Sequence, residues 1–527
     1  MQYNGIIVKV TLLLFCIIIL AFLSRFYQLG SFPSGMTWDE TAIGYNAYGL
    51  VVNHRDEWLK RTPVVFQSFG DYKSPLLIYL TSLPVALFGL NALSVRLPVA
   101  ISGLGLVVVT YFLSKEIFLL HEKKENRFGW VYPLFATFCI TISPWAVHFS
   151  RMGFESMLSA FLVSLGVLGL LLWKRTQAVR LSILFLVGGC LSFVLALYAY
   201  HSAKVVVPLT MLILIPVFWT KAATHFKQIA LAVVVSCVAI SPLIYVTVYG
   251  KANERALSTT IFSKPNALSQ FVQNYGEHLS LEFLLKGKDV TFRHGTKEMG
   301  VSFPIELILF CVGLLSILLK KDKRSMWWIP ALFFTGLIPA ALGTDIPHAN
   351  RSLLSLPWLQ ITAAIGLSSV ATQVSSCVEK RNIHLRTYSV YTVFFLVFLF
   401  VSHSFYNYVR TYKRVFTSVA PLSEMGYGYK EAIAYAIEHE NEVDTVYFTN
   451  FYGQAYIYLL FFKQLTPIEY RGGALANYTI TDKPYEDSRG RSRVLLIGTG
   501  DQIPTTGNVV KEILYPDGKV AFRIVKQ

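Results

Sequence analysis

The chain has 527 residues, of which 54% are hydrophobic and only 15% are charged, and its mean hydropathy is +0.49. Because long apolar runs recur from end to end, these values exclude an ordinary soluble protein and predict a polytopic membrane protein. The net charge of +16 would suggest nucleic acid in a soluble chain, but here the basic residues cluster in short loops, so no nucleic-acid partner is expected.

The predicted fold is an all-α membrane protein of about eleven spans with a soluble α/β domain at its C-terminal end. A helix needs about 20 apolar residues to cross the hydrocarbon core. The first apolar run is too long for a cleaved signal peptide and lacks a small-residue cleavage site, so it is expected to be retained. The predicted spans start near residues 6, 95, 130, 157, 181, 205, 228, 303, 326, 352 and 388.

Loop charges predict the topology. The loops KEIFLLHEKKENR, KRTQAVR, TKAATHFK, KKDKR and EKRNIHLR are rich in Lys and Arg, which is typical of cytoplasmic loops. These loops alternate with turns that contain fewer Lys and Arg residues. The alternation holds only if one short apolar run, PLLIYLTSLPVALFGL from Pro75, does not cross the membrane. We therefore expect this run to lie at the interface or to dip in and out. The N-terminus is then cytoplasmic and the chain ends outside the cell membrane.

Two acidic residues stand together soon after the first span. The stretch GMTWDETAIGYNAYG contains Asp39 and Glu40, and its second half predicts a short amphipathic helix. One interpretation is that Asp39 or Thr41 lies at the N-cap of this helix. The other is a catalytic carboxylate at the membrane surface. In the same loop Lys73 precedes the Pro75 run, where a lysine either anchors the chain among headgroups or binds a lipid phosphate.

The later outer turns also carry ionisable residues at helix ends. Charges near the bilayer are costly unless they pair, face a cavity or extend toward water. Arg151 and Glu155 are four residues apart, so on one helix they would share a face and could pair. We expect the outer groups to gather in one extracytoplasmic cavity. The residues in these turns are Arg151, Glu155, His201, Lys204, Asp345, His348 and Arg351.

From about Ser418 the composition changes to that of a soluble α/β domain. The pattern predicts a helix in YKEAIAYAIEHE, a strand in VDTVYFTN, and a helix or buried strand in GQAYIYLLFFK. It predicts further strands in RVLLIGTG, VVKEILYP and KVAFRIVKQ, the last two joined by the turn DGK. The predicted division is a transmembrane domain, 1–405, with outer loops 26–94 and 250–302, followed by an extracytoplasmic domain, 418–527.

These residue types suit the transfer of a sugar from a lipid-linked phosphate to a hydroxyl group at the outer membrane–water boundary. A carboxylate can take the proton of the attacking hydroxyl as a general base. Lys and Arg can stabilise the charge that develops on a departing phosphate. Nearby aromatic side chains can stack on a sugar or shield a lipid chain. Those in the first outer loop are Trp38, Tyr45, Tyr48 and Tyr72.

The order of the motifs resembles the glycosyltransferase family 39 superfamily, which includes the protein O-mannosyltransferases and the lipid A aminoarabinose transferase. The similar segments are the Asp-Glu pair, YKSPLLIYL, SVRLPVAISGLG, ISPWAVHFSRMGFESML, LYAYHSAKVVVPL and PHANRSLLSLP, within about residues 1–400. The resemblance implies a GT-C fold and an inverting glycosyltransferase of the cell membrane. It implies a polyprenyl-phosphate donor carrying a mannose-like sugar, and a protein, lipid or glycan acceptor.

The resemblance also implies roles for single residues. Asp39 matches the first-loop acidic residue that acts as base or holds the acceptor. Glu155 matches a second acidic residue, which is usually Asp in the mannosyltransferases. Lys73 matches the lysine that contacts the carrier phosphate. Some members bind a divalent cation between acidic residues, which here would be Asp39 and Glu155. The expected site comprises catalytic Asp39, Glu40 and Glu155 and phosphate-binding Lys73, Lys204, Arg351, Arg151 and His348.

Two other function classes are weighed against this one. A lipid or sugar transporter would place polar residues at mid-membrane on broken helices and often shows inverted repeats. Here the ionisable residues lie toward one face and no paired symmetry is visible. The third class is a family member that has lost its activity and only binds a glycan through its tail. The presence of Asp39, Glu40 and Lys73 argues against this class.

Overall fold

The computed structural model describes most of the chain. Parts of three predicted features lie outside the described residues, namely the basic loops at 122–127 and 379–382 and the start of the long outer loop at 251–259. The described ranges are 2–121, 128–250, 260–378, 383–505 and 508–527.

The chain divides into two compact units. The helical unit comprises Met1–Tyr27, Val99–Val290 and His294–Thr411. The mixed unit comprises Gln28–Pro98, Thr291–Arg293 and Tyr412–Gln527. The first outer loop, expected within the transmembrane domain, thus belongs to the same compact unit as the tail.

Apolar helices long enough to cross a bilayer confirm a multi-pass membrane protein. Within the described residues, eight helices meet the requirements of length and composition. Some of them carry extensively exposed apolar side chains, for example Phe15 at 61% and Val238 at 69%, as expected for surfaces that face lipid. Others, such as Glu155–Arg175 and Leu353–Cys377, are mostly buried. The eight helices are Ile7–Phe26, Ala92–Leu120, Glu155–Arg175, Val179–Ala199, Ala203–Thr224, Phe226–Tyr249, Leu353–Cys377 and His384–Val415.

The remaining predicted spans correspond to less regular elements. Val131–Ile142 and Pro144–Arg151 form a pair bent by 51°, which can count as a ninth span. The bend follows from Pro144, which begins the second helix, and from Ser143, which caps it by accepting a hydrogen bond from the N–H of Ala146. The spans predicted to start near residues 303 and 326 are the shorter apolar helices Pro304–Leu319 and Trp328–Ala341.

The Pro75 run forms the helix Pro75–Phe88 of 14 residues. At about 1.5 Å per residue it is about 21 Å long, which is shorter than a hydrocarbon core of about 30 Å. Leu83 and Leu87 on this helix are both 66% exposed, so it presents an apolar face outward. Its predicted location at the membrane interface stays a prediction.

The long outer loop of the helical unit contains helices of its own. Ala267–Leu279 and Leu281–Lys286 follow each other, and the side chain of Ser280 caps the second by accepting from the N–H of Phe283. Asn274 on the first helix donates to the carbonyl oxygens of Ala341 and Gly343, both at 3.0 Å. These hydrogen bonds fasten the outer loop to the end of a neighbouring apolar helix.

The tail forms the predicted α/β domain. Its strands are β3 (Thr445–Thr449), β4 (Tyr478–Thr481), β5 (Val494–Gly498), β6 (Val509–Leu514) and β7 (Val520–Lys526), and they follow β1 (Phe66–Ser68) and β2 (Asp71–Lys73) of the first outer loop. The sheet order is β4-β3-β5-β7-β6, with β3 parallel to β4 and β5, and β7 antiparallel to β5 and β6. The predicted strands are confirmed, and β4 is an addition. The tail helices are Val419–Glu424, Tyr429–His439, Ala455–Phe462, Pro467–Arg471 and Pro484–Asp487.

The first outer loop contributes a helix and a hairpin to the mixed unit. The predicted amphipathic helix is Trp38–Asn53, and β1 (Phe66–Ser68) pairs antiparallel with β2 (Asp71–Lys73). Ala42 and Tyr45 of the helix belong to the buried core that includes the tail sheet. Burial of apolar surface common to both segments explains why residues far apart in sequence fold as one unit.

Candidate functional site

The helix that carries Asp39 is capped by its neighbours. Thr37 is the N-cap: its Oγ1 accepts from the N–H of Glu40 at 3.2 Å, and Glu40 Oε2 accepts from the N–H of Thr37 at 2.9 Å. This reciprocal pair is a capping box. The capping role expected for Asp39 or Thr41 is thus held by other residues, and the Asp39 side chain takes no part in the capping box.

Glu40 is also half of a fully buried ion pair. Arg96 Nε lies 2.7 Å from Glu40 Oε1, and both side chains are 0% exposed. The same guanidinium donates to the carbonyl oxygens of Leu29, Pro33 and Gly35 at 3.2, 3.0 and 2.8 Å. A buried charge of this kind must be paired and hydrogen-bonded. Through these bonds Glu40 positions the turn that leads into the helix of Asp39.

Asp39 lies between two cations. Its Oδ1 is bonded to Lys73 Nζ, and its Oδ2 lies 3.4 Å from Arg293 Nη1. Lys73 is the last residue of β2, so the hairpin with β1 sets its position. The Asp39 side chain is 27% exposed. Asp39 and Lys73, which the sequence analysis singled out separately, thus form an ion pair in the structure.

Arg293 is a member of this cluster that sequence reasoning missed. Its guanidinium carbon lies 4.4 Å from the centre of the Trp38 ring, and its Nε is 3.4 Å from Thr291 Oγ1. Thr291 is in turn hydrogen-bonded to Glu424 of the tail. An arginine two residues after a threonine in a long polar loop is no signal by itself. Only the fold brings residues 291–293 against the start of the Asp39 helix.

A second buried acid lies in the same unit. Glu57 is 1% exposed, and its N–H donates to Asn46 Oδ1 at 3.0 Å. Burial raises the pKa of Glu57 to about 7, against the opposing effects of a hydrogen bond with Tyr456 and of the Arg471 charge. The folded chain therefore binds the carboxyl proton of Glu57 more tightly than the unfolded chain, in which this glutamate has its ordinary pKa of 4.5.

We expect Glu57→Gln to remove a pH dependence of stability. The contribution of a group with a raised pKa is complete below about pH 4.5 and is lost as the pH rises through about 7, by about 3 kcal/mol in total. Hydrogen exchange of the amides of residues 44–59, measured from pH 5 to pH 8, should show this loss in the wild type and not in the variant. Exposed Glu438 offers the control Glu438→Gln, which should keep the wild-type slope. Equal slopes in all three proteins would contradict the prediction.

Arg151 and Glu155 lie in the helical unit on two separate helices. Arg151 ends the helix Pro144–Arg151, and Glu155 begins Glu155–Arg175, with extended backbone at Met152 and Phe154 between them. The expectation of a shared helical face is wrong, because this break interrupts the helical spacing. Arg151 donates to the carbonyl oxygens of Ser24, Arg25 and Tyr27 at 2.9–3.3 Å, which fits a cation at the end of the first helix.

His348 and Arg351 belong to a polar network of the helical unit. The N–H of His348 donates to His278 Nε2 at 3.0 Å, and the His348 and His294 ring centres are 4.4 Å apart. Asp289 Oδ2 accepts a hydrogen bond from the N–H of Ala349 at 2.7 Å. Asp289 Oδ1 lies 2.7 Å from His294 Nδ1. Arg351 Nη2 lies 3.9 Å from Asp345 Oδ2.

His278 acts in this network as a neutral imidazole. Its Nδ1 lies 2.7 Å from the carbonyl oxygen of Asn274, so the proton belongs on Nδ1 and Nε2 is free to accept. Burial lowers the pKa of His278, which agrees with that assignment. His278, Asp289 and His294 escaped the sequence analysis because no spacing links the outer loop to the turn at His348.

The remaining site predictions stay predictions. Lys204 is the second residue of the helix Ala203–Thr224 in the helical unit. Asp39, Glu40 and Lys73 belong to the mixed unit, and the other predicted residues belong to the helical unit. The expected common cavity, and the roles assigned to its members, are therefore untested.

The surroundings of Asp39 do not fit a divalent cation. Such an ion prefers several oxygen ligands, often from two or more acidic side chains. In the described part of the chain, no group of three His, Cys, Asp or Glu side chains is arranged to hold a metal. Asp39 is instead bonded to Lys73 and flanked by Arg293, whose positive charges oppose a cation at the same place.

Comparison with solved structures identifies the fold. ArnT from Cupriavidus metallidurans, a lipid A aminoarabinose transferase solved with bound undecaprenyl phosphate, matches with a TM-score of 0.53 at 14% identity, covering 98% of this chain and 97% of its own. The Archaeoglobus fulgidus oligosaccharyltransferase in its apo form matches with a TM-score of 0.53 at 12% identity. The match covers 93% of this chain and 69% of the oligosaccharyltransferase chain.

A third structure, oligosaccharyltransferase AglB from Archaeoglobus fulgidus with an inhibitory peptide and a dolichol-phosphate, matches with a TM-score of 0.51 at 14% identity, covering 86% of this chain and 63% of its own. No protein-family model and no curated protein sequence matches this chain. At these identities the similarity establishes the fold. The predicted GT-C fold, with its C-terminal domain containing a sheet, is confirmed.

Proposed function

We propose that this protein is a membrane glycosyltransferase that moves a sugar from a polyprenyl-phosphate carrier to a hydroxyl acceptor. The observation that carries the proposal is the Asp39 cluster, in which a carboxylate is bonded to Lys73 and flanked by Arg293. The fold supports the reaction class, since ArnT and the oligosaccharyltransferase share it, and ArnT and AglB were solved with undecaprenyl phosphate and dolichol-phosphate.

The proposed reaction is a single displacement. Asp39 accepts the proton of the acceptor hydroxyl as its oxygen attacks the anomeric carbon. The bond from that carbon to the phosphate oxygen breaks on the opposite side, so the configuration inverts. Lys73 and Arg293 stabilise the negative charge that grows on the departing polyprenyl phosphate. Trp38 orients Arg293 by stacking and Glu40 positions the helix, so each member of the cluster has a separate task.

Further parts of the proposal rest on the sequence. We assign to Glu155 the role of a second acidic group, and to Lys204, Arg351, Arg151 and His348 a role in phosphate binding. The transferred sugar is mannose-like, and the acceptor is a protein, lipid or glycan. The reaction takes place on the extracytoplasmic face, with the N-terminus in the cytoplasm and the tail outside.

The test is a transfer assay in sealed vesicles. Membranes that contain the protein are incubated with radiolabelled polyprenyl-phosphate mannose and, separately, with other labelled polyprenyl-phosphate sugars, and the labelled products are separated and identified. We expect label in an acceptor and release of polyprenyl phosphate. Movement of the labelled lipid between leaflets with no labelled acceptor would support a transporter and overturn the proposal. Vesicles without the protein are the control.

A further inference from the structure

The helix Ala267–Leu279 of the long outer loop carries apolar side chains on its exposed side. Leu268 and Val272 are 78% and 64% exposed, whereas the polar residues Asn274 and His278 of the same helix are buried. A helix on the surface of a soluble protein shows the reverse arrangement. Exposed apolar surface of this kind marks contact with a membrane or with another protein.

The exposed apolar side chains of this helix share one face. Leu268 lies seven residues before Tyr275, Val272 lies three before it, and Leu279 lies four after it. At 3.6 residues per turn, all three lie within about 60° of Tyr275 around the helix axis. The opposite side is polar and consists of Ser269, Gln273 and Glu277. The helix is thus amphipathic, and its apolar face is the exposed one.

Two hydrogen bonds show which way the apolar face points. Asn274 Nδ2 donates to the carbonyl oxygen of Ala341 at 3.0 Å, at the end of the apolar helix Trp328–Ala341. The hydroxyl group of the next residue, Tyr275, donates to the carbonyl oxygen of Phe334 at 2.8 Å. Phe334 precedes Ala341 by seven residues, which is about 10 Å along the helix axis. Tyr275 therefore points from the end of the apolar helix toward its middle.

The middle of an apolar helix in a membrane protein lies at the depth of the hydrocarbon core, and its end lies near the headgroups. We infer that the helix Ala267–Leu279 is an interfacial anchor whose partner is the lipid bilayer. Its axis lies in the headgroup layer, and the side chains of Leu268, Val272 and Leu279 are inserted among the acyl chains. Tyr275 suits this place, because a tyrosine has an apolar ring and a polar hydroxyl group.

The charges of the segment indicate which part of the lipid is bound. Residues 260–290 contain three lysines and three acidic residues. Lys288 is paired with Glu277 at 2.8 Å, and Lys286 with Glu282 at 2.7 Å. A segment without an excess of positive charge gains little from anionic headgroups. The proposed contact is therefore with acyl chains, and a neutral phospholipid suffices.

The buried side of the same helix connects the anchor to the polar network of the helical unit. His278 Nε2 accepts from the N–H of His348 at 3.0 Å, and Asn274 also donates to the carbonyl oxygen of Gly343. Insertion of the apolar face thus holds the partners of His348 at a set depth. The inference requires no enzymatic activity, so it is independent of the proposed function.

Photocrosslinking identifies what contacts the apolar face. The photoreactive residue p-benzoylphenylalanine is introduced into the full-length protein in place of Val272, or in place of exposed Gln273 on the polar side as the matched control. Cell membranes are irradiated, the protein is purified, and its adducts are identified by mass spectrometry. We expect a phospholipid adduct at position 272 in a yield at least about fivefold above that at position 273, because only the first faces acyl chains.

Other adducts would overturn the inference. A crosslink from position 272 to a different protein, or to a second copy of this chain, would assign the apolar face to that partner. Equal lipid yields at the two positions, or the lack of a lipid adduct at position 272, would show that this face is not inserted.

A charge on the apolar face should release the helix. For Val272→Glu in vesicles of phosphatidylcholine alone, we expect amide hydrogen exchange of residues 268–279 to be about tenfold faster, which corresponds to lost burial of one valine. Gln273→Glu adds the same charge on the polar side and should exchange at the wild-type rate. Wild-type exchange in Val272→Glu, or equal acceleration in both variants, would contradict the anchor. If Val272→Glu does not fold, the crosslinking result decides, because p-benzoylphenylalanine is itself apolar.

Discussion

Asp39→Asn should abolish most of the transfer activity while the protein still folds. Loss of a general base lowers turnover by about 100-fold or more, and an amide cannot take up the proton. Asn has nearly the same shape as Asp, and the Asp39 side chain takes no part in the capping box formed by Thr37 and Glu40, so the helix should form normally. The measurement is turnover per folded protein, with folding checked by gel filtration in detergent.

The matched control for this prediction is Asp444→Asn. The Asp444 side chain is 64% exposed, and its Oδ1 lies 3.6 Å from Nη2 of Arg493, which is 66% exposed. Exposed ion pairs of this kind contribute little to stability. This variant should keep wild-type turnover. If Asp39→Asn retains activity within a few-fold of the wild type, Asp39 is not the base, and the proposed reaction loses its central residue.

Arg96→Met should cause the largest loss of stability. The guanidinium is fully buried and is bonded to Glu40 and to the carbonyl oxygens of Leu29, Pro33 and Gly35. Its removal leaves a buried carboxylate without a counterion, which costs about 3–5 kcal/mol. Because domains are stable by only about 5–15 kcal/mol, we expect a strongly lowered unfolding temperature or no folded protein.

Two further variants show whether the loss comes from the buried charge. Glu40→Gln removes the charge and keeps an oxygen for the N–H of Thr37, so it should leave Arg96 unneutralised and be destabilising as well. Arg489 of the tail is exposed, and Arg489→Met should unfold at the wild-type temperature. Arg96→Met with an unchanged unfolding temperature would contradict the structural role given to this ion pair.

The sequence identified the helices and strands because their patterns are local. Apolar runs of about 20 residues predict spans whatever their neighbours are. Alternating and helical periodicities in the tail likewise predicted β3, β5, β6, β7 and the helix Tyr429–His439, all of which are present. The kink at Pro144 was missed, since a continuous apolar run conceals a break in the helix.

Hydropathy and the periodicities of the tail are enough to establish a polytopic membrane protein with an α/β tail, because these patterns are read one segment at a time. The GT-C fold was implied by the resemblance of the ordered motifs to a known family, and residue types and their position singled out Asp39 and Lys73. The pairing of Glu40 with Arg96, and the position of Arg293 against Trp38 and Asp39, are visible only in the folded chain. The contact between Arg293 and Asp39 joins residues 254 positions apart, and such contacts follow from shared burial and charge pairing, which no local pattern records.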